Sequence, residues 1–445
     1  MGRVVKGFGA VVFGLLALVV LLYVASRAMP IPRHEAEALA RVEALPPLEG
    51  KNGFAAIWSL ALDVDAGRAQ ALLVEEARRL ASSSAPDSGV AYSPYISVLE
   101  GVPLLVAQEA TDPKPCGMVE TGCLHRVRED LHAYSSWVER RRVTSARVER
   151  LDAYGHFRTT LPSRMDTPFP SYGPLIEDLT VQAQRFAVGQ SDIALQGVCR
   201  NASIARKLVA SGDNLLGSMV GVALYQGSAT LLVDMLAELP PDYPLPALCD
   251  QVFAAGAPMA QDICSTLRGE GRWMTEGFRA SSKHTFKGKV ADRLFLDVDK
   301  TMAHGAMTYE WFCGEEANAS IASDTPLRGY VQPSRISFRC IANAIGCTLV
   351  SLQAPAYSDY TVRLQDAAMR QKAVGTWLWL RAHVGQDRRP LAERLRFRPA
   401  AFKSASRDIR VEGDRLVVPM NERRPGQDDA WHLPVPVWMS DAAAP

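Results

Sequence analysis

Residues 215–239 read LLGSMVGVALYQGSATLLVDMLAEL, and the fold turns on where that segment is buried. It is apolar on every side of a helix, through Leu216, Met219, Val220, Leu224, Leu231, Leu232 and Met235. A helix of that kind is buried, either in lipid or in a large protein core. Gln226, Ser228 and Thr230 interrupt the run, and Asp234 and Glu238 follow closely. The expectation is therefore a core helix, opened by an Asp213-Asn214 cap and notched by Gly217 and Gly221 for close packing. A core helix of this length needs a helical body around it.

Outward toward the N-terminus, Gly7 to Ser26 reads GFGAVVFGLLALVVLLYVAS without a charge. Twenty helical residues rise about 30 Å, the thickness of a bilayer core. Arg3 and Lys6 precede the run; Arg27 and Arg33 follow. The run exceeds the 7–15 apolar residues of a signal peptide, and Arg27 falls inside the cleavage site that Ser26 and Ala28 would make. The expectation is an uncleaved anchor with the N-terminus inside, holding the membrane through residues 7–26.

The rest of the chain is balanced. Among 445 residues, 49 lysines and arginines face 48 acids, so no global field recruits nucleic acid. At 48% apolar and 22% charged it is neither disordered nor a multi-span transporter. Further helices are expected at 34–45, 54–62, 66–80, 124–154, 175–188, 191–209 and 359–383. Within the longest early one, Arg140-Arg141-Arg142 reads as a solvated face. Residues 408–419 form two alternating runs about Gly413-Asp414, a β-hairpin signal. The expected fold class is mainly α: an anchor (1–28), a linker with a short helix (29–50), a helical domain (51–285), and a second helical region ending in a hairpin and Pro-rich tail (286–445).

Eight cysteines, Cys116, Cys123, Cys199, Cys249, Cys264, Cys313, Cys340 and Cys347, all follow the anchor. An even number outside the cytosol reads as a disulfide framework. Cys116 and Cys123 can close locally, and Cys249 and Cys264 can staple two helices. Cys340 and Cys347 would stand about 10 Å apart on one continuous helix, too far to bond. The remaining pairings stay open. There is no C-x-x-C pair, and no zinc site or cofactor is expected.

Two constellations point to chemistry. Leu294-Phe-Leu-Asp297-Val-Asp299-Lys-Thr301 resembles the first motif of haloacid dehalogenase-like phosphatases, D-x-D-x-T. The resemblance implies Asp297 as nucleophile and Asp299 as general acid, with Mg²⁺ on the phosphate. Ser351, Lys372 and Asp428-Asp429 would supply the remaining parts. Against it, only three apolar residues precede Asp297, and Lys300 stands where the motif has glycine. The second constellation is His125, Glu129 and His132, which steps of four and three place on one helical face; a polar flank is the plainer reading. Trp377 and Trp379 read as core, and Trp431 and Trp438 in the tail as possible partner anchors. Serine-elbow, metalloprotease, phosphate-loop and dinucleotide patterns do not occur.

Asn52-Gly-Phe-Ala-Ala-Ile-Trp58, the Cys116/Cys123 pair before a long helix, Asn343-Ala-Ile-Gly346, Tyr357, Tyr360, Asp366 and Arg381 together resemble uncharacterised membrane-anchored proteins of Gram-negative bacteria. That resemblance implies an inner-membrane anchor with the body in the periplasm, and no catalytic residues. The functional expectation is a non-enzymatic protein that binds an envelope partner, in an interaction, immunity or assembly role. An envelope hydrolase using Asp297 and Asp299 is the alternative.

Overall fold

The computed structural model describes residues 2–83, 95–164, 166–254, 259–285, 290–327, 337–423 and 429–440. It is mainly α, 64% helix against 4% strand. An N-terminal apolar helix, Gly2–Ala28, leads into a helical body that ends in a small sheet.

The body is arranged around the central helix, Leu215–Glu238. Asn214 caps it, its side chain accepting from Gly217 N at 2.8 Å. The Glu270 carboxylate accepts from Leu215 N at 2.9 Å. Both satisfy amides that a helix start leaves unpaired. Helices Gly173–Ala187, Ser191–Ala210, Ile263–Thr285 and Ala344–Ala382 cover it, together with Cys123–Glu129 and one strand of the sheet. Its most apolar stretch is 67% buried, while that of the N-terminal helix is 0% buried at a mean hydropathy of 2.7. The two apolar helices thus part company: one is core, the other is bare.

Glycines set how closely the cover approaches. A Cβ at Gly221 would stand 2.7 Å from the Ala205 carbonyl oxygen, and one at Gly227 3.0 Å from that of Met118. Gly217, expected to share the notch, has Tyr172 Oη no nearer than 3.3 Å. The notch is therefore Gly221 with Gly227.

The expected helix over 124–154 is three helices, Cys123–Glu129, Leu131–Arg140 and Arg142–Leu151. Asp130 turns out of the helix and caps the second, accepting from Ala133 N at 3.1 Å. The second break lies at Arg141. That side chain is buried rather than solvated, bonded to Asp112 at 3.2 Å and Glu177 at 3.0 Å, with its guanidinium 3.9 Å over the Trp137 ring. The apolar stripe runs through both breaks, which is why periodicity alone joined them.

The hairpin forms as read. β1 (Arg410–Glu412) and β2 (Arg415–Pro419) pair antiparallel about Gly413, whose φ is 61°. A third strand, β3 (Ala430–Pro434), pairs antiparallel with β2, with Val418 opposite Trp431. Trp431 and Trp438 fasten the tail to its own body: Trp431 is buried, and Trp438 meets Trp377 edge-on at 5.8 Å. Trp377 donates to Pro434 O at 2.9 Å. Arg407 locks the sheet to the long helix Ala344–Ala382 by pairing with Asp324 at 2.6 Å and Asp366 at 2.5 Å.

All eight cysteines are bonded, as Cys116–Cys123, Cys199–Cys249, Cys264–Cys313 and Cys340–Cys347. Cys249 does not meet Cys264: it bonds Cys199 on helix Ser191–Ala210, while Cys264 bonds Cys313 in the turn that follows helix Val298–Trp311. Cys340 does meet Cys347, at a Cα separation of 5.9 Å. It sits in a 3-10 turn, Phe338–Cys340, and the helix starts only at Ala344, so the chain folds back between them. The two long bridges, 50 and 49 residues apart, each contribute about 4 kcal/mol on the chain-entropy model, against about 2 for the two short ones.

Gly221→Ala is expected to lower stability by about 1–3 kcal/mol in urea melts, since its Cβ meets backbone that cannot give way. Gly277→Ala, whose Cβ has its nearest neighbour at 3.7 Å, should raise stability by about 1 kcal/mol through helix propensity alone. Equal effects at the two sites would contradict the packing described.

Candidate functional site

The central helix is not covered all the way along. From Gln226 to Glu238, the residues left unburied are Gln226, Thr230, Asp234, Ala237 and Glu238. All five open onto one cleft of about 900 Å³. Four of them recur at steps of four, so they form a single polar stripe on one face.

Two walls rise from this floor. One is helix Cys123–Glu129, held at its first residue by the Cys116–Cys123 bridge and carrying His125 and Arg128. The other is the sheet, presenting Arg415 from β2 and Trp431 and His432 from β3, with Arg370 of the long helix beside them. Arg128 crosses the cleft mouth to grip Glu238 with both nitrogens, one at 2.7 Å. The Arg370 guanidinium stands 6.0 Å over the Trp431 ring. Glu422 is held by Arg363 at 2.9 Å.

Two residues of this lining carry a polar group with no hydrogen-bond partner among the described residues. Asp234 makes no hydrogen bond or ion pair among the described residues. Burial pushes its carboxyl up to about 6, and the Glu238 charge one turn on adds to the shift. The indole Nε1 of Trp431 is a buried donor without an acceptor. Buried polar groups are normally satisfied, so the Trp431 Nε1 is an exception, whereas the half-buried Asp234 carboxylate faces the cleft.

The sequence-derived candidates lie elsewhere. Asp297 caps helix Val298–Trp311, accepting from Lys300 N at 3.2 Å, while its amide donates to Asn343 Oδ1 at 2.7 Å. Thr301 donates to the Asp297 carbonyl at 2.7 Å. Asp299 is exposed. Asp297 follows helix Val290–Phe295, and the three strands among the described residues all lie at 410–434, so the strand that the phosphatase motif requires is not in place. Ser351 and Lys372 share helix Ala344–Ala382, about 30 Å apart along its axis, and do not converge on a phosphate. Asp429 stands 3.6 Å from Arg423; Asp428 lies outside the described residues. His125 pairs with Glu129 at 3.2 Å, and the break at Asp130 puts His132 on the next helix. Among the described residues no three histidines, cysteines or acids gather to hold a metal.

The cleft went unread in the sequence, although Gln226, Thr230, Asp234 and Glu238 announced it. Polar residues at strict four-residue steps through an otherwise apolar helix mark one uncovered face. No family model matches the chain, and no curated protein or solved structure matches it.

Asp234 gives a stability signature with a definite sign. Its folded-state value of about 6 lies above the usual 3.8. The ionised form is therefore penalised in the folded protein above about pH 6, and the penalty disappears as pH falls toward 3.8. Asp234→Asn should stabilise the protein at pH 7.5 by about 1–3 kcal/mol, with the gain vanishing near pH 4. Urea melts of both proteins at the two pH values read this directly; a gain independent of pH would mean that the carboxyl is not desolvated.

Proposed function

We propose that this protein is an exported, non-enzymatic binding protein. Its N-terminal helix anchors it in the inner membrane, its disulfide-stapled body lies in the periplasm, and its cleft holds a polypeptide segment of an envelope partner. The observation that carries the binding role is the Asp234 carboxylate, which lines a cleft of about 900 Å³ and has no hydrogen bond or ion pair among the described residues. A peptide answers it: a lysine or arginine side chain pairs with Asp234. A carboxylate that costs stability when empty and is neutralised by a cationic ligand is the mark of a site kept for binding.

Export and anchoring rest on two supports. The anchor helix exposes its apolar side chains, from Phe8 at 72% to Leu21 at 66%, which no aqueous surface favours. The four disulfides, with no free cysteine, suit an oxidising compartment.

In intact cells a membrane-impermeant maleimide should label the protein only after reductant is added from outside. Free thiols that appear only on lysis would place the body in the cytosol. For binding, a photo-crosslinker at position 125 or 414 of the full chain should capture a partner segment containing lysine or arginine. Affinity for that segment should fall about tenfold in Asp234→Asn at pH 7.5, roughly the 1.4 kcal/mol of one modest ion pair. Wild type should lose affinity as pH drops from 7.5 to 5.5, and the variant should not. Binding insensitive both to pH and to the substitution overturns the reading.

A further inference from the structure

The C-terminal end of the anchor helix is clasped by the body rather than tethered to it. Tyr23 Oη donates to Leu294 O at 2.7 Å, and its ring meets Phe295 edge-on at 6.0 Å. Ser26 is buried, donating to Arg339 O at 3.3 Å and accepting from Ala342 N at 3.1 Å. Arg27 Nη1 reaches the carbonyls of Leu296 and Ala342, both at 3.3 Å, and stands 3.8 Å from Asp297. Lys300 Nζ donates to the Arg27 carbonyl at 2.6 Å, closing an end carbonyl of the helix. These contacts come from two places, helix Val290–Phe295 with the residues after it and the turn around Phe338–Cys340.

Those same two elements expose large apolar side chains. Val290 is 73% exposed, Leu294 43%, Phe295 38%, Phe338 43% and Ile341 38%. Helix Val290–Phe295 buries no residue at all. Single exposed apolar residues are unremarkable, but five on the two elements that grip one apolar helix make a patch. Their depth follows from the helix. The apolar run ends at Ser26, and Tyr23 lies three residues, about 4.5 Å, inside it. That is the interfacial level at which tyrosine settles. Leu294 and Phe295 touch Tyr23 and so stand at the same level. The cations fit the same plane: Arg27 and Lys300 sit one turn farther out, where the headgroups lie.

We propose that Val290, Leu294, Phe295, Phe338 and Ile341 form a collar that beds into the headgroup–acyl boundary of the lipid leaflet around the anchor, so that the body rides on the membrane in one fixed orientation. The occupant is lipid because the patch is continuous with the membrane-spanning surface through Tyr23. The proposal rests on the anchor reading above, and its test separates the two.

Because every native cysteine is bonded, a new one is the sole free thiol. Leu16→Cys, Leu294→Cys, Phe338→Cys, Val143→Cys and Ile193→Cys are made singly in the full chain. Each is labelled with an environment-sensitive nitrobenzoxadiazole and reconstituted in phosphatidylcholine/phosphatidylglycerol vesicles carrying shallow or deep doxyl lipid. The collar predicts blue-shifted emission at 294 and 338, quenched more by the shallow than by the deep doxyl. Position 16 is quenched more by the deep one, and positions 143 and 193 by neither. Quenching at 16 without quenching at 294 and 338 overturns the collar and leaves the anchor standing. No quenching at 16 overturns the anchor reading itself, and the collar with it. Oxidation of Leu294→Cys to a cross-linked dimer would instead assign the patch to a second copy of the chain, and also overturns the proposal.

Discussion

A 24-residue helix that is apolar on all sides cannot stand in water, and the body of this protein is the set of elements that keep water from it. Four helices, a fifth short one and a β-strand lie against Leu215–Glu238. Gly221 lets helix Ser191–Ala210 come to backbone contact, and Gly227 does the same for the loop at Met118. The Cys199–Cys249 bridge ties one covering helix to the segment that follows the central helix, so the cover cannot peel away. In its second half, the uncovered face of the helix turns polar. The stripe from Gln226 to Glu238 is what a core helix carries along a face left to solvent, and the cleft is the space above that stripe. Core and candidate site are thus two faces of one element.

The legible parts of the chain were those where one local signal sufficed. The all-round apolarity of residues 215–239, broken by Gln226 and Thr230, marked core rather than membrane. Asn214 marked its start, and Gly413-Asp414 marked a hairpin. The parts that were not legible depend on distant partners. β3 has no turn of its own to announce it; its pairing with β2 is seen only once Trp431 and Leu433 find a place in the core. Arg141 reads as one of three exposed arginines until Asp112 and Glu177 arrive from other segments to pair with it. The bridges Cys199–Cys249 and Cys264–Cys313 report helix packing across some fifty residues, which spacing does not encode.

Asp297 shows how a motif can be reused by geometry. The spacing that resembles a phosphatase nucleophile serves here as a joint. Its carboxylate starts a helix, its amide and carbonyl bind Asn343 and Thr301, and its charge stands by Arg27 and Lys300 at the end of the N-terminal helix. Aspartate suits both tasks for one reason: a short carboxylate at a chain turn gathers amide and ammonium donors whether or not a substrate is present.

The disulfide map has a further property. Each cysteine is joined to the next one along the chain, 116 to 123, 199 to 249, 264 to 313 and 340 to 347, so no bridge encloses or crosses another. A chain whose cysteines reached an oxidising space in sequence order would present each thiol with its correct mate before any later thiol emerged. Sequential pairing by a simple dithiol oxidant would then yield the native set without reshuffling.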